Sequence, residues 1–89
     1  MKSVRIKVFG IVQGVFFRKH TQSKAKELGI KGWTRNADDG TVEIAAEAPA
    51  ETLADFISWC HCGPERAVVN KVDVVESPFE NFTSFEIRR

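Results

Sequence analysis

Cysteine is scarce in this 89-residue chain, and the two that occur, Cys60 and Cys62, stand one residue apart. That spacing is too short to brace a fold, so nothing calls for an oxidising compartment and the chain reads as cytoplasmic. Long apolar runs are missing too. The stretch from Val8 to Phe17 is interrupted by Gln13 and followed by Arg18, Lys19 and His20, where the small residues of a signal cleavage site should stand. No segment approaches a membrane span, and there are no internal repeats, linkers or low-complexity tracts. The sequon Asn81-Phe82-Thr83 carries meaning only in a secreted chain. Histidine is limited to His20 and His61, which leaves little material for a nucleophilic triad. Cys60-His61-Cys62 on a helix would point its two sulfurs to nearly opposite sides, and no second Cys or His pair completes a metal site. We read one core cysteine and one near a frayed helix end.

What is present suits one compact domain over residues 1–89: 43% of residues are hydrophobic and 28% charged, enough to bury a core without staples and too few for a second domain. Net charge is only +1, yet it is unevenly placed. Residues 1–36 hold nine Lys or Arg against the single acid Glu27, while residues 37–89 hold four against eleven acids. Either the basic part favours an anionic partner, or opposite signs meet across the fold. With no evident exposed apolar stripe, the chain is expected to be a monomer. Its start at Met1 and its end in a last strand fit a free-standing protein.

Periodicity gives the elements. Val4, Ile6 and Val8 alternate with Arg5, Lys7 and Phe9, which predicts a strand with one buried face. From Phe17 the period turns helical, with Phe17, Thr21, Ala25 and Leu28 on one face and Gly29 as C-terminal cap. A second strand is expected from Lys31 to Ala37, a turn at Asp38-Asp39-Gly40, and a third strand in which Val42, Ile44, Ala46 and Ala48 alternate with polar residues. Pro49 opens a second helix carrying Leu53, Phe56, Ile57 and Cys60, and Gly63-Pro64 stops it. Val68 to Val75 forms a fourth strand, and Phe85 with Ile87 a short fifth. The order β-α-β-β-α-β with a closing strand predicts an α+β, ferredoxin-like sandwich, two helices on one face of a mostly antiparallel sheet. That arrangement hosts many activities and selects none of them.

The segment Gly10-Ile11-Val12-Gln13-Gly14-Val15-Phe16-Phe17-Arg18 lies where the first strand ends and the first helix begins. Gly10 and Gly14 permit a tight turn that brings amide N–H groups inward, and the helix start adds roughly half a positive charge. Arg18 then supplies a planar, permanently charged fork that matches two phosphoryl oxygens. Together these parts make an anion cradle. A plain strand-to-helix turn with a surface arginine has the same residue pattern.

Gly10-x-Val12-Gln13-Gly14-Val15-x-Phe17-Arg18, together with Gly32-Trp33-x-Arg35-Asn36-x-x-x-Gly40-x-Val42, resembles the two signature segments of the acylphosphatase family, in that family's order and separation. The resemblance spans Val4 to Ile87, and the run from Gly14 to Gln22 is similar to the free-standing members. It implies hydrolysis of acyl phosphates to carboxylate and inorganic phosphate, without cofactor or metal. It implies that Arg18 is the catalytic arginine, that the backbone amides of Gln13, Gly14, Val15, Phe16, Phe17 and Arg18 bind the phosphoryl group, and that Asn36 orients the attacking water. Two positions depart from the family pattern. Thr34 replaces Ala, Val or Cys and is expected to be tolerated. Ala48 replaces a Gly, at a cost of roughly 1 kcal/mol if that backbone needs a positive φ.

Other readings are weaker. His20 lies two residues after Arg18, about 200° round the helix from it, and is not expected to act in catalysis. Trp33 and Trp59 are expected in the core or as site walls, and Asp38-Asp39 in the hairpin turn. A nucleic-acid-binding module of the same fold would stack bases on aromatics of its central strands, and Thr41 to Ala48 has none, so no nucleic-acid partner is expected. A regulatory ligand-binding module, or the carbamoyl-phosphate-handling segment of hydrogenase-maturation proteins, normally belongs to a longer chain.

Overall fold

In the computed structural model, which describes Met1–Arg89, alternation along β1 (Lys2–Ile11) buries Val4, Ile6 and Val8 and turns Arg5 and Lys7 to the other face. Helix α1 (Phe17–Leu28) buries Phe17, Thr21 and Ala25 and ends at Gly29, whose φ of 72° is the left-handed cap expected there. Strands β2 (Lys31–Asn36) and β3 (Val42–Ala48) form the hairpin, and α2 (Ala50–Cys62) buries Leu53, Phe56 and Cys60 before Gly63. Strands β4 (Val68–Glu76) and β5 (Phe85–Arg88) complete the chain.

The sheet order is β4-β1-β3-β2-β5, antiparallel throughout except that β5 runs parallel to β2. The first strand thus lies inside the sheet, between two strands far from it in sequence. Both helices cover the face on which Val4, Ile6, Val8, Ile44 and Ala46 point inward, and there they meet Phe17, Ala25, Leu53 and Phe56 in one core. Each of the Val, Ile, Leu and Phe side chains among them contributes about 1.5–3 kcal/mol. Phe56 touches both Trp59 and Phe85, so truncating it to alanine should cost about 3–5 kcal/mol.

Three expectations need correction. The alternation along β3 does not leave Glu47 in water. It is 4% exposed, and its carboxylate accepts from the Ser3 hydroxyl (3.1 Å) and the N–H groups of Glu80 (2.7 Å) and Phe82 (3.2 Å). The 77–82 segment covers the sheet there, which a strand-by-strand reading cannot register. Ala48 pairs with Lys2 and is not among the positive-φ residues, so the penalty considered for it does not arise. Finally, apolar surface is exposed: Ile11 and Val68 face each other across β1 and β4, both more than half exposed.

Candidate active site

Gly10 serves the sheet rather than the loop. It sits where the β1–β4 register shifts, with φ 132°, and a Cβ there would lie 2.0 Å from the Val68 carbonyl oxygen. The loop's own turn is made by Gly14 (φ 75°) and, unexpectedly, by Phe16 (φ 59°, ψ 25°), which enters α1 in the left-handed region. No side chain caps the helix and no acid lies in its first turn. The first bond into the helix runs from the His20 N–H to the Phe16 carbonyl (3.1 Å), and no backbone N–H from Gln13 to Phe16 donates within the chain. Open amides and an uncapped helix start leave a concentration of positive potential directed outward. Phe17, buried and tilted against Trp59 at 5.7 Å between ring centroids, pins the helix start from behind.

A hollow of about 270 Å³ opens in front of this loop, and Val12, Gly14, Phe16, Phe17, Arg18, Lys19, Asn36 and Ile87 line it. Arg18 and Asn36, from different elements, thus share one cavity. The Arg18 guanidinium is held by β5, its Nη1 donating to the Arg88 carbonyl at 3.0 Å. Asn36 ends β2 opposite Val42 and is half-buried. Gln13 and Val15, expected to offer their amides to the phosphoryl group, are not among these lining residues; the Gln13 side-chain NH₂ instead donates to the carbonyls of Ala37 (2.8 Å) and Thr41 (2.9 Å). That ties the loop to the hairpin beside Asn36. No sequence pattern announces it, because both acceptors are backbone atoms about 25 residues away by direct count.

The remaining candidates lie elsewhere. His20 is exposed, in a shallow depression with Ser23, Lys24, Glu27 and Trp59. Cys60 is buried, and burial pushes its thiol up to about 12, whereas Cys62 is exposed; both are free. Asp39 closes the hairpin turn, accepting from the Thr41 hydroxyl (2.6 Å) and N–H (3.1 Å). The Lys7 ammonium at 2.8 Å, with those Thr41 bonds, holds its carboxyl well below the usual range. A larger hollow of about 360 Å³ lies on the helix-free face around Arg5, Lys7, Trp33 and Arg35. Its cations already have partners in Glu80, Asp39 and Glu43. Trp33, 6% exposed, lies under the guanidinium groups of Arg5, Arg35 and Arg88, 5.0–5.6 Å from its centroid, so it has no open face on which a base could stack.

An α+β sandwich in which Gly14, Arg18, Lys19 and Asn36 line one small hollow beside an uncapped helix start is suited to a small tetrahedral anion. The acylphosphatase family model matches residues 4–87, and the chain belongs to that family. It is 52% identical to an acylphosphatase of Marinobacter nauticus over 88% of this chain and 86% of that one. An acylphosphatase of Rubrobacter xylanophilus is 46% identical over 98% of this chain and 80% of its own. The crystal structure of acylphosphatase from Bacillus subtilis superposes with a TM-score of 0.97 at 39% identity, covering 100% of both chains. The fold is therefore the ferredoxin-like one of that family.

Proposed function

We propose that this chain hydrolyses acyl phosphates, with the amides from Gln13 to Arg18 and the Arg18 guanidinium holding the phosphoryl group and Asn36 placing the water. Family membership supports the reaction. The meeting of Arg18 and Asn36 in one hollow, before an uncapped helix start, supports the roles.

An acyl phosphate is an activated anhydride whose carboxylate leaves readily, so no strong acid is needed at the leaving oxygen. Positioning and charge stabilisation suffice. Water adds its oxygen to phosphorus as the bond to the acyl oxygen breaks, and the carboxylate departs with that electron pair. Charge spreads over the equatorial phosphoryl oxygens in the loose transition state, where the loop amides and Arg18 hold it more tightly than in the ground state. Asn36 orients the water but is no base, so a phosphoryl oxygen of the substrate takes the proton.

The same reading takes residues 1–89 as one cytoplasmic, monomeric domain with a small-molecule substrate and no nucleic-acid partner. Two free cysteines and a covered Trp33 support it.

The test is hydrolysis of an aryl acyl phosphate without added metal, with orthophosphate as competitive inhibitor. Arg18→Ala is expected to lower kcat/KM at least about 100-fold and to weaken inhibition by orthophosphate. Asn36→Ala should lose most of kcat while remaining inhibited by orthophosphate. Undiminished activity in both variants retires the assignment.

A further inference from the structure

Phe16 is 72% exposed although it borders the hollow that holds Arg18 and Asn36. Its backbone is left-handed, a region that a bulky residue rarely occupies. Loop geometry does not call for a phenylalanine there, since glycine would make the same turn without steric cost. Packing does not call for it either, because the adjacent Phe17 is the ring that fills the core. An apolar ring held in an uncommon conformation, in water, at the rim of a ligand-sized hollow is an outlier that points to ligand contact. Ile87 of β5, itself 39% exposed, lines the same hollow. The lining is therefore mixed, polar at Arg18, Lys19 and Asn36 and apolar at Phe16 and Ile87.

We propose that Phe16, with Ile87, seats the acyl group, and that Phe16 sets a preference for acyl phosphates with a compact apolar acyl group, such as a single aromatic ring, over the acetyl compound. The proposal rests on the reading of the hollow given under Proposed function. Its volume of about 270 Å³ lies just below the range of roughly 300–1,000 Å³ for ligand sites, which suits a phosphoryl group plus one ring and is small for a nucleotide. Stacking or edge contact with Phe16 removes apolar area of both partners from water. That contact is the same before and during bond breaking, so it acts through KM rather than kcat.

The test compares benzoyl phosphate with acetyl phosphate in the wild type and in Phe16→Ala, Phe16→Gly, Phe16→Leu and Ile87→Ala. In the Ala and Gly variants at position 16, the benzoyl-to-acetyl ratio of kcat/KM should fall about five- to tenfold, chiefly through KM for benzoyl phosphate. Phe16→Leu should restore much of the ratio, and Ile87→Ala should lower it in the same direction. If the ring only shaped the loop, both substrates would change in step, and an unaltered ratio overturns the acyl seat. So does a Phe16→Gly enzyme that matches the wild type on benzoyl phosphate. Orthophosphate separates the two levels of failure. A wild-type enzyme that it does not inhibit removes the site assignment and the acyl seat together, whereas normal inhibition with an unaltered ratio removes the seat alone.

Discussion

Thr34 is fully buried, and its hydroxyl has no hydrogen-bond partner. Burying such a group is unfavourable, and valine fills the same space without the oxygen. Thr34→Val should therefore stabilise the fold by about 1 kcal/mol, read as a higher urea midpoint at constant m. A lower midpoint would mean that the hydroxyl is satisfied. Gly10 has the opposite character. With a Cβ 2.0 Å from a backbone carbonyl and no flexible neighbour to move, Gly10→Ala forces β1 and β4 apart. It should cost about 2–4 kcal/mol, well beyond the intrinsic glycine–alanine difference. The sequence alone showed a glycine before a loop in each case, and only the register of a distant strand distinguishes the bulge at Gly10 from the turn at Gly14.

At the level of elements, two side chains join segments that lack regular pairing. Gln13 ties the loop to the β2–β3 turn through two carbonyls, so only a donor works at that position. Gln13→Glu, which turns a carboxylate toward both carbonyls, should be worse than Gln13→Ala in kcat and in stability, the alanine costing about 1–2 kcal/mol. Equal kinetics in the two variants would show that the tether does not position Asn36. Glu47 joins β3 to the 77–82 segment. Burial alone would push its carboxyl up, but the Glu80 and Phe82 N–H groups and the Ser3 hydroxyl outweigh that and hold it below its ordinary 4.5. A carboxyl depressed by folding contributes fully above its unfolded value and loses that contribution as pH falls through the lower folded value. Glu47→Gln should thus destabilise the protein at pH 7, by about 1.5–3 kcal/mol, and the gap from wild type should narrow as the solution is acidified below about 4.5. Urea titrations at successive pH values measure it; a gap independent of pH would mean that the carboxylate charge is not what the amides hold.

Across the whole molecule, periodicity disclosed both helices, the hairpin and β1, because each of these reports its own buried face. The parallel seat of β5 on β2 was not legible, since four residues carry no direction signal, and neither was the cover over Glu47. The loop residues and Asn36 could be named from motif resemblance, but the left-handed Phe16 could not, because no local rule predicts a bulky residue there. The charge asymmetry resolves into both of its readings. Lys2, Arg5, Lys7 and Arg35 from the basic part pair with Glu76, Glu80, Asp39 and Glu43 from the acidic part, so a share of it is opposite signs meeting across the fold. Arg18 and Lys19 have no acidic partner, and both line the hollow beside the uncapped start of α1. Lys26 and Lys31 also lack an acidic partner but do not line the hollow, so the field at its mouth is local, made by two cations and a helix end. Such a field is screened over about 8–10 Å at ordinary ionic strength. Raising neutral salt from low to high should increase KM severalfold with little change in kcat, and Lys19→Gln should raise KM at low salt and flatten that dependence. Lys2→Gln, which breaks only an exposed pair on the far edge, should leave the salt dependence as it is. If it flattens the curve as much as Lys19→Gln does, attraction comes from net charge over the whole surface and not from the mouth of the hollow.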